Sequence, residues 1–146
     1  MPSRIKLLTF DLDDTLWPCT PVIMAAEQKL YEWMQQYVPQ ITQDHDSEAI
    51  FHKRRDFMRQ RQDLLHDMSK LRVESLKALS DEIGLGYEWI DEAFEVFFQA
   101  RQQVELYPDV APVLDLLSAE YTLVAVSNGN ADIGLTGVDR WFDFSV

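Results

Sequence analysis

Residues 5–17 read IKLLTFDLDDTLW, and this stretch decides the fold. Ile5 to Phe10 is a mostly apolar run that ends abruptly in Asp11-Leu12-Asp13-Asp14. The pattern predicts a buried strand whose carboxyl end opens into a polar loop. In open α/β sheets ligands bind at that end of the strands. Asp11 and Asp13 are two residues apart, so in extended backbone both lean to one side. One ionised carboxylate can attack an electrophile while the other gives and takes back a proton. The pair also suits Mg²⁺, a hard cation that prefers oxygen. A bare DxD would read as a loop or a helix cap; here an apolar strand precedes it and Thr15-Leu16-Trp17 follow.

Outward from this stretch, residues 18–105 change character and carry apolar residues at helical spacing. Helices are predicted over 21–38, 46–67, 69–83 and 88–104, the first stopped by Pro39 and the third by Gly84. Trp89, Ala93, Val96, Phe97, Ala100 and Val104 share one face of the fourth. Pro108 then suits the first turn of another helix. YTLVAV (121–126) reads as a second buried parallel strand, Ser127 to Asn130 as a turn, then a short helix, and FDFSV as the start of a third strand. Strands alternating with helices indicate an α/β parallel sheet. The block between the first two strands is too long for a crossover. The expected division is therefore 1–17 and 106–146 as an α/β core, with 18–105 as an inserted all-helical domain.

Composition bounds the partners. The 146 residues carry a net charge of -12, which argues against nucleic acid or an anionic membrane surface. A metal ion and a few backbone N–H groups can still make one positive spot for a phosphate. One cysteine, Cys19, forms no internal disulfide, and the N-terminal apolar run is too short for a signal peptide or span. A cytoplasmic protein is expected. His45, His52 and His66 lack the i, i+4 spacing that suits a metal site. Lys53-Arg54-Arg55 with Arg59 and Arg61 reads as a solvated helix face.

FDLDDTL (residues 10–16) resembles the first motif, DxDxT, of the haloacid dehalogenase superfamily, and Ser127 in VAVSNGNAD resembles its second. The resemblance implies an incomplete Rossmann-like parallel sheet with an inserted helical cap. It implies that Asp11 attacks phosphorus to form an aspartyl-phosphate, and that Asp13 protonates the leaving oxygen and then activates water. It further implies Mg²⁺ on Asp11 and Asp13, phosphoryl oxygens held by Ser127 and Asn128, and Thr15 as part of the same phosphate loop. Dehalogenases of this family lack the second Asp, so Asp13 favours phosphate esters; the wording is nearest to bacterial capped phosphatases of flavin-nucleotide and pyrimidine-phosphate type. Trp17 and Arg72 are candidate substrate contacts, with packing at the core–cap junction and a solvent-facing or ion-paired helix arginine as the alternatives. Tyr107-Pro108-Asp109 matches the family's start of the helix that follows the cap.

The family's two further motifs, a lysine and an acidic pair, do not follow Ser127; the only later cation is Arg140. The core would be marginal by itself, and a longer parent chain is expected. The implied activity is a Mg²⁺-dependent phosphomonoesterase on a small phosphorylated metabolite. A non-catalytic fragment that binds phosphate or a partner, and a phosphotransferase, mutase or dehalogenase on the same fold, are the alternatives.

Overall fold

A computed structural model describes residues 4–146. Three strands, β1 (Leu7–Phe10), β2 (Thr122–Ala125) and β3 (Phe144–Ser145), form one parallel sheet in the order β1-β2-β3. Leu7 pairs with Thr122 and Phe10 with Ala125, while Val124 pairs with Phe144. The α/β class follows from this sheet and the helices between its strands.

The chain divides into two compact units, residues 1–22 with 102–146, and residues 23–101. These boundaries fall a few residues inside the composition shifts at 17/18 and 105/106. The first unit holds the sheet with α6 (Val110–Ser118) and the short α7 (Ile133–Thr136). Leu123, Val124 and Ala125 of β2 are buried, and Leu12, Leu16, Trp17, Leu114, Val138, Trp141 and Phe142 pack in the same core. Strand β1 departs from the expectation of full burial. Leu8 and Phe10 pack against the core, but Leu7 is 46% exposed. A run of apolar residues predicts two covered faces; here β1 has one covered face and, among the described strands, one neighbour.

The second unit is helical. It contains most of α1 (Cys19–Tyr37), then α2 (Pro39–Thr42), α3 (Ser47–Gln60), α4 (Met68–Ile83) and α5 (Ile90–Arg101). Ala26, Leu30, Met34, Ile41, Ile50, Leu76, Leu79, Ala93 and Phe97 make a second core. Pro39 ends α1 but opens α2, since its missing N–H costs nothing in a first turn. The helix predicted over 46–67 stops at Gln60. Asp67 accepts a 2.9 Å bond from the Lys70 N–H and so caps α4, while Arg61 leaves helical geometry and forks onto Asp63 at 2.9 and 2.8 Å. Gly84, at φ +69°, closes α4 in the left-handed region, where glycine escapes the Cβ penalty. Helix α5 ends at Arg101, so Val104 packs in the first core instead.

Candidate active site

The Asp11 loop is built by alternation of apolar anchors and polar groups. Leu12, Leu16 and Trp17 are buried, whereas Asp11, Asp14 and Thr15 are exposed and Asp13 is half-buried. Burying each large apolar side chain contributes roughly 1.5–3 kcal/mol, so three anchors within six residues hold the carboxylates in place. The N–H groups of Thr15 and Leu16 donate to the Leu12 carbonyl at 3.1 and 2.8 Å. The Asp14 N–H donates to the Trp17 carbonyl at 2.7 Å, closing the turn. Asp14 sits at φ 60°, a conformation that aspartate tolerates better than most side chains. The Tyr107 N–H donates to the Leu16 carbonyl at 2.9 Å, tying the returning chain to the loop.

The expected residues take different parts. Asp11 is the open carboxylate, touched by the Thr15 hydroxyl at a long 3.4 Å. Asp13 Oδ1 accepts the Trp17 indole N–H at 2.9 Å. Trp17 is fully buried, so the packing alternative holds for its ring and no face is open to a substrate.

Sheet register brings the second motif alongside. Phe10 pairs with Ala125, and the Val126 N–H donates to the Phe10 carbonyl at 2.8 Å. Asp11 and Ser127 therefore follow adjacent strand ends on one edge of the sheet. Ser127 Oγ accepts the Gly129 N–H at 3.1 Å, and Asn128 is exposed. A residue that the sequence did not single out secures this loop. Gln102 is 2% exposed; its carbonyl oxygen accepts the Asp132 N–H at 2.8 Å and its amide donates to the Asn130 carbonyl at 3.1 Å. No local pattern marks it, because both partners lie about thirty residues away.

A model of the haloacid dehalogenase-like hydrolase family matches residues 5–146. The chain belongs to that family. It is 29% identical, over 97% of its length and 61% of the relative's, to the 5-amino-6-(5-phospho-D-ribitylamino)uracil phosphatase YigB of Escherichia coli (strain K12). It is 35% identical to a 2-haloacid dehalogenase from Pseudomonas syringae pv. Tomato DC3000, with TM-score 0.84, covering 98% of this chain and 64% of that one. YfnB of Bacillus subtilis shares the fold at TM-score 0.66 and 14% identity, over 98% of this chain and 65% of its own. The chain thus spans less than two thirds of the length of these haloacid dehalogenase-like relatives.

As a hard-cation site, the loop offers the Asp11 carboxylate and the Asp13 backbone carbonyl, both oxygen donors. Mg²⁺ is commonly held by one or two carboxylates with water and substrate phosphate, so the donor set fits. No group of three or more His, Cys, Asp or Glu gathers among the described residues. Nor is any helix among them long and apolar enough to cross a membrane.

Arg72 has an internal role in the helical unit. It is 7% exposed, its Nη2 lies 2.9 Å from Glu27 Oε1, and its guanidinium carbon lies 3.3 Å from the Phe97 ring centroid. Arg54 Nε lies 2.7 Å from the same Glu27 oxygen. This corrects the solvated-face reading at Arg54, which turns inward because Glu27 on α1 is its partner. Burial pushes Arg72 down to about 10, with Glu27 opposing and Arg54 adding to the shift. Two cavities of about 320 and 390 Å³ lie within this unit, and neither includes a residue of the Asp11 loop.

Proposed function

We propose that this chain acts as a Mg²⁺-dependent phosphomonoesterase on a small phosphorylated metabolite. The observation that carries the reading is the pairing of an exposed carboxylate, Asp11, with a half-buried second one, Asp13, in a loop anchored by buried residues. Asp11 attacks phosphorus and displaces the alcohol. Asp13 gives its proton to the leaving oxygen, then takes one from the water that cleaves the aspartyl-phosphate. The Ser127 hydroxyl and the Asn128 N–H are the donors for the phosphoryl oxygens. Bound at the Asp11 carboxylate and the Asp13 carbonyl, Mg²⁺ would supply charge neutralisation at those oxygens. Residues 18–105 serve in this reading as the cap that selects substrates. The similarity to YigB makes a phosphorylated ribitylaminopyrimidine the first ester to try.

Phosphate release from a panel of esters, with and without Mg²⁺, tests the proposal. The panel holds that pyrimidine, sugar phosphates, nucleotides and FMN. Turnover should fall by more than about a thousandfold in Asp11→Asn. A second reading, dehalogenation, has the similarity to the Pseudomonas syringae enzyme in its favour. Halide departure needs no proton, which leaves Asp13 without work. Halide release from 2-haloacids with no phosphate release would replace the first reading with the second. Transfer of phosphate to a sugar would indicate a mutase, and no reaction at all a binding protein.

A further inference from the structure

Between β2 and α7 the chain runs from Ser127 to Asp132 without regular structure. This loop carries the two donors assigned to the phosphoryl group, the Ser127 hydroxyl and the Asn128 N–H. Its first end is held by the sheet. The Val126 N–H donates to the Phe10 carbonyl at 2.8 Å, and the Ser127 N–H to the Val146 carbonyl at 3.3 Å. Ser127 Oγ accepts the Gly129 N–H at 3.1 Å, which leaves the hydroxyl proton to be donated elsewhere.

At the far end the loop meets the side chain of Gln102. Oε1 accepts the Asp132 N–H at 2.8 Å, and Nε2 donates to the carbonyl of Asn130, which has a further contact of its own, at 3.1 Å. Asp132 passes the anchorage on to α7, since its carboxylate accepts the Leu135 N–H at 3.0 Å. All of these residues lie in the first unit, and Gln102 is 2% exposed. A primary amide presents an acceptor and a donor side by side, so one residue satisfies an N–H and a C=O two positions apart in the chain. A carboxylate would offer acceptors alone, and buried here it would face the Asn130 carbonyl.

The need for such a bracket is entropic. Residues 127–131, SNGNA, hold a glycine and two asparagines, which favour open and variable backbone. An anion that binds a mobile loop must freeze it, and a loop already fixed binds without that loss. We propose that Gln102 is a positioning residue that fixes the 127–132 loop, and with it the Ser127 hydroxyl and the Asn128 N–H, for a tetrahedral oxyanion. The inference deepens the phosphatase reading above and rests on it for the role of those donors. The phosphoryl group is common to every ester, so Gln102 acts on anion binding and not on the choice of leaving group.

Gln102→Met keeps an unbranched side chain of similar length and removes both bonds. Orthophosphate is the probe, followed with Mg²⁺ present through the Asn128 amide resonance of ¹⁵N-labelled protein. Its dissociation constant should rise roughly fivefold or more in the variant. Leu117→Ala, which trims the same core away from the loop, should bind as the parent does. For alkyl and p-nitrophenyl phosphates alike, kcat/KM should fall in Gln102→Met by about the same factor, roughly tenfold or more. Equal affinity in parent and Gln102→Met, an equal weakening in Leu117→Ala, or a loss of turnover confined to one ester would overturn the proposal. So would a parent chain that binds no orthophosphate. A second measurement uses the unaltered protein alone. Anion binding and loop anchorage are reciprocal, so saturating orthophosphate should slow hydrogen exchange at the Asp132 amide, and an unchanged rate would also overturn the proposal. If the unaltered protein binds orthophosphate but cleaves no ester, the phosphatase reading fails, and the inference stands or falls on binding and exchange.

Discussion

Asp14 Oδ1 accepts the Cys19 backbone N–H at 2.8 Å, so the third carboxylate of the DLDD run starts helix α1. The helix accordingly begins at Cys19, ahead of the predicted start at residue 21. The bond also rewards Asp14 for its left-handed backbone. Asp14→Ala should lose the cap and place a plain Cβ at φ 60°, costing about 1–3 kcal/mol. Asp14→Asn, which keeps an acceptor and tolerates that backbone, should cost less than about 1 kcal/mol. Urea unfolding of both variants checks the order; equal losses would mean that the side-chain bond contributes nothing.

Gln102 predicts a different loss. Leucine at this position fills similar volume but leaves the Asn130 carbonyl and the Asp132 N–H without their partner. The expected cost of Gln102→Leu is about 1–3 kcal/mol, with faster hydrogen exchange at the Asp132 amide. Exchange at that amide unchanged from the parent would show that water replaces the bond without loosening the Ser127 loop.

Glu27 faces two guanidinium groups, and Arg72 among them is almost wholly enclosed. Glu27→Gln should cost about 3–5 kcal/mol, because it strands buried cations. The folded value of Arg72, about 10, lies below its ordinary value. Between those two values the unfolded chain binds more protons, so stability from this group rises with pH there. Its burial penalty is thus present in full at neutral pH and is relieved only above about 10. Glu27 holds Arg72 up, so in Glu27→Gln the guanidinium sheds its proton at lower pH than in the parent. The deficit should be full near about pH 7 and shrink as pH rises toward about 10 in urea melts, and no deficit at about pH 7 would contradict the charge argument.

Mg²⁺ should raise the thermal midpoint of the chain by mass action. A hundredfold excess over the dissociation constant contributes about 2.7 kcal/mol. Asp11→Asn should abolish the shift, and Ca²⁺ should give a different one, since its preferred coordination is larger and looser. A midpoint indifferent to Mg²⁺ in the parent chain would show that the loop alone does not hold the ion.

Much of this was legible in residues 5–17 and 121–130. A β-branched or apolar run that stops at Asp11 or Ser127 carries its own signal, because strand burial and loop polarity are local properties. The parallel order of the sheet followed from the helices between the strands. Illegible were the groups whose partners are remote. Arg54 looks like a surface arginine until Glu27 is placed beside it; for Arg72 an ion pair was one of the alternatives, but neither its partner nor its burial was legible, and Gln102 has no periodicity to betray it. Trp17 was noticed for its nearness to the motif, yet its bond to Asp13 depends on a turn that spacing does not specify. The open face of β1 was missed because an apolar run says that faces are to be covered, not which segment covers them.

The pairing of Leu7 with Thr122 spans more than about a hundred residues of chain. Closing so long a loop is entropically unfavourable before other contacts exist. Prior collapse of residues 23–101 into their own core shortens the effective loop, since the ends of a folded insert are already tethered. The expected order is that the strand bearing Asp11, though synthesised early, acquires its partner late. Pulsed hydrogen exchange during refolding should then protect the amides of α4 and α5 before those of β1. The reactive loop would be one of the last parts of the molecule to take shape, so that any chemistry it performs waits on completed folding.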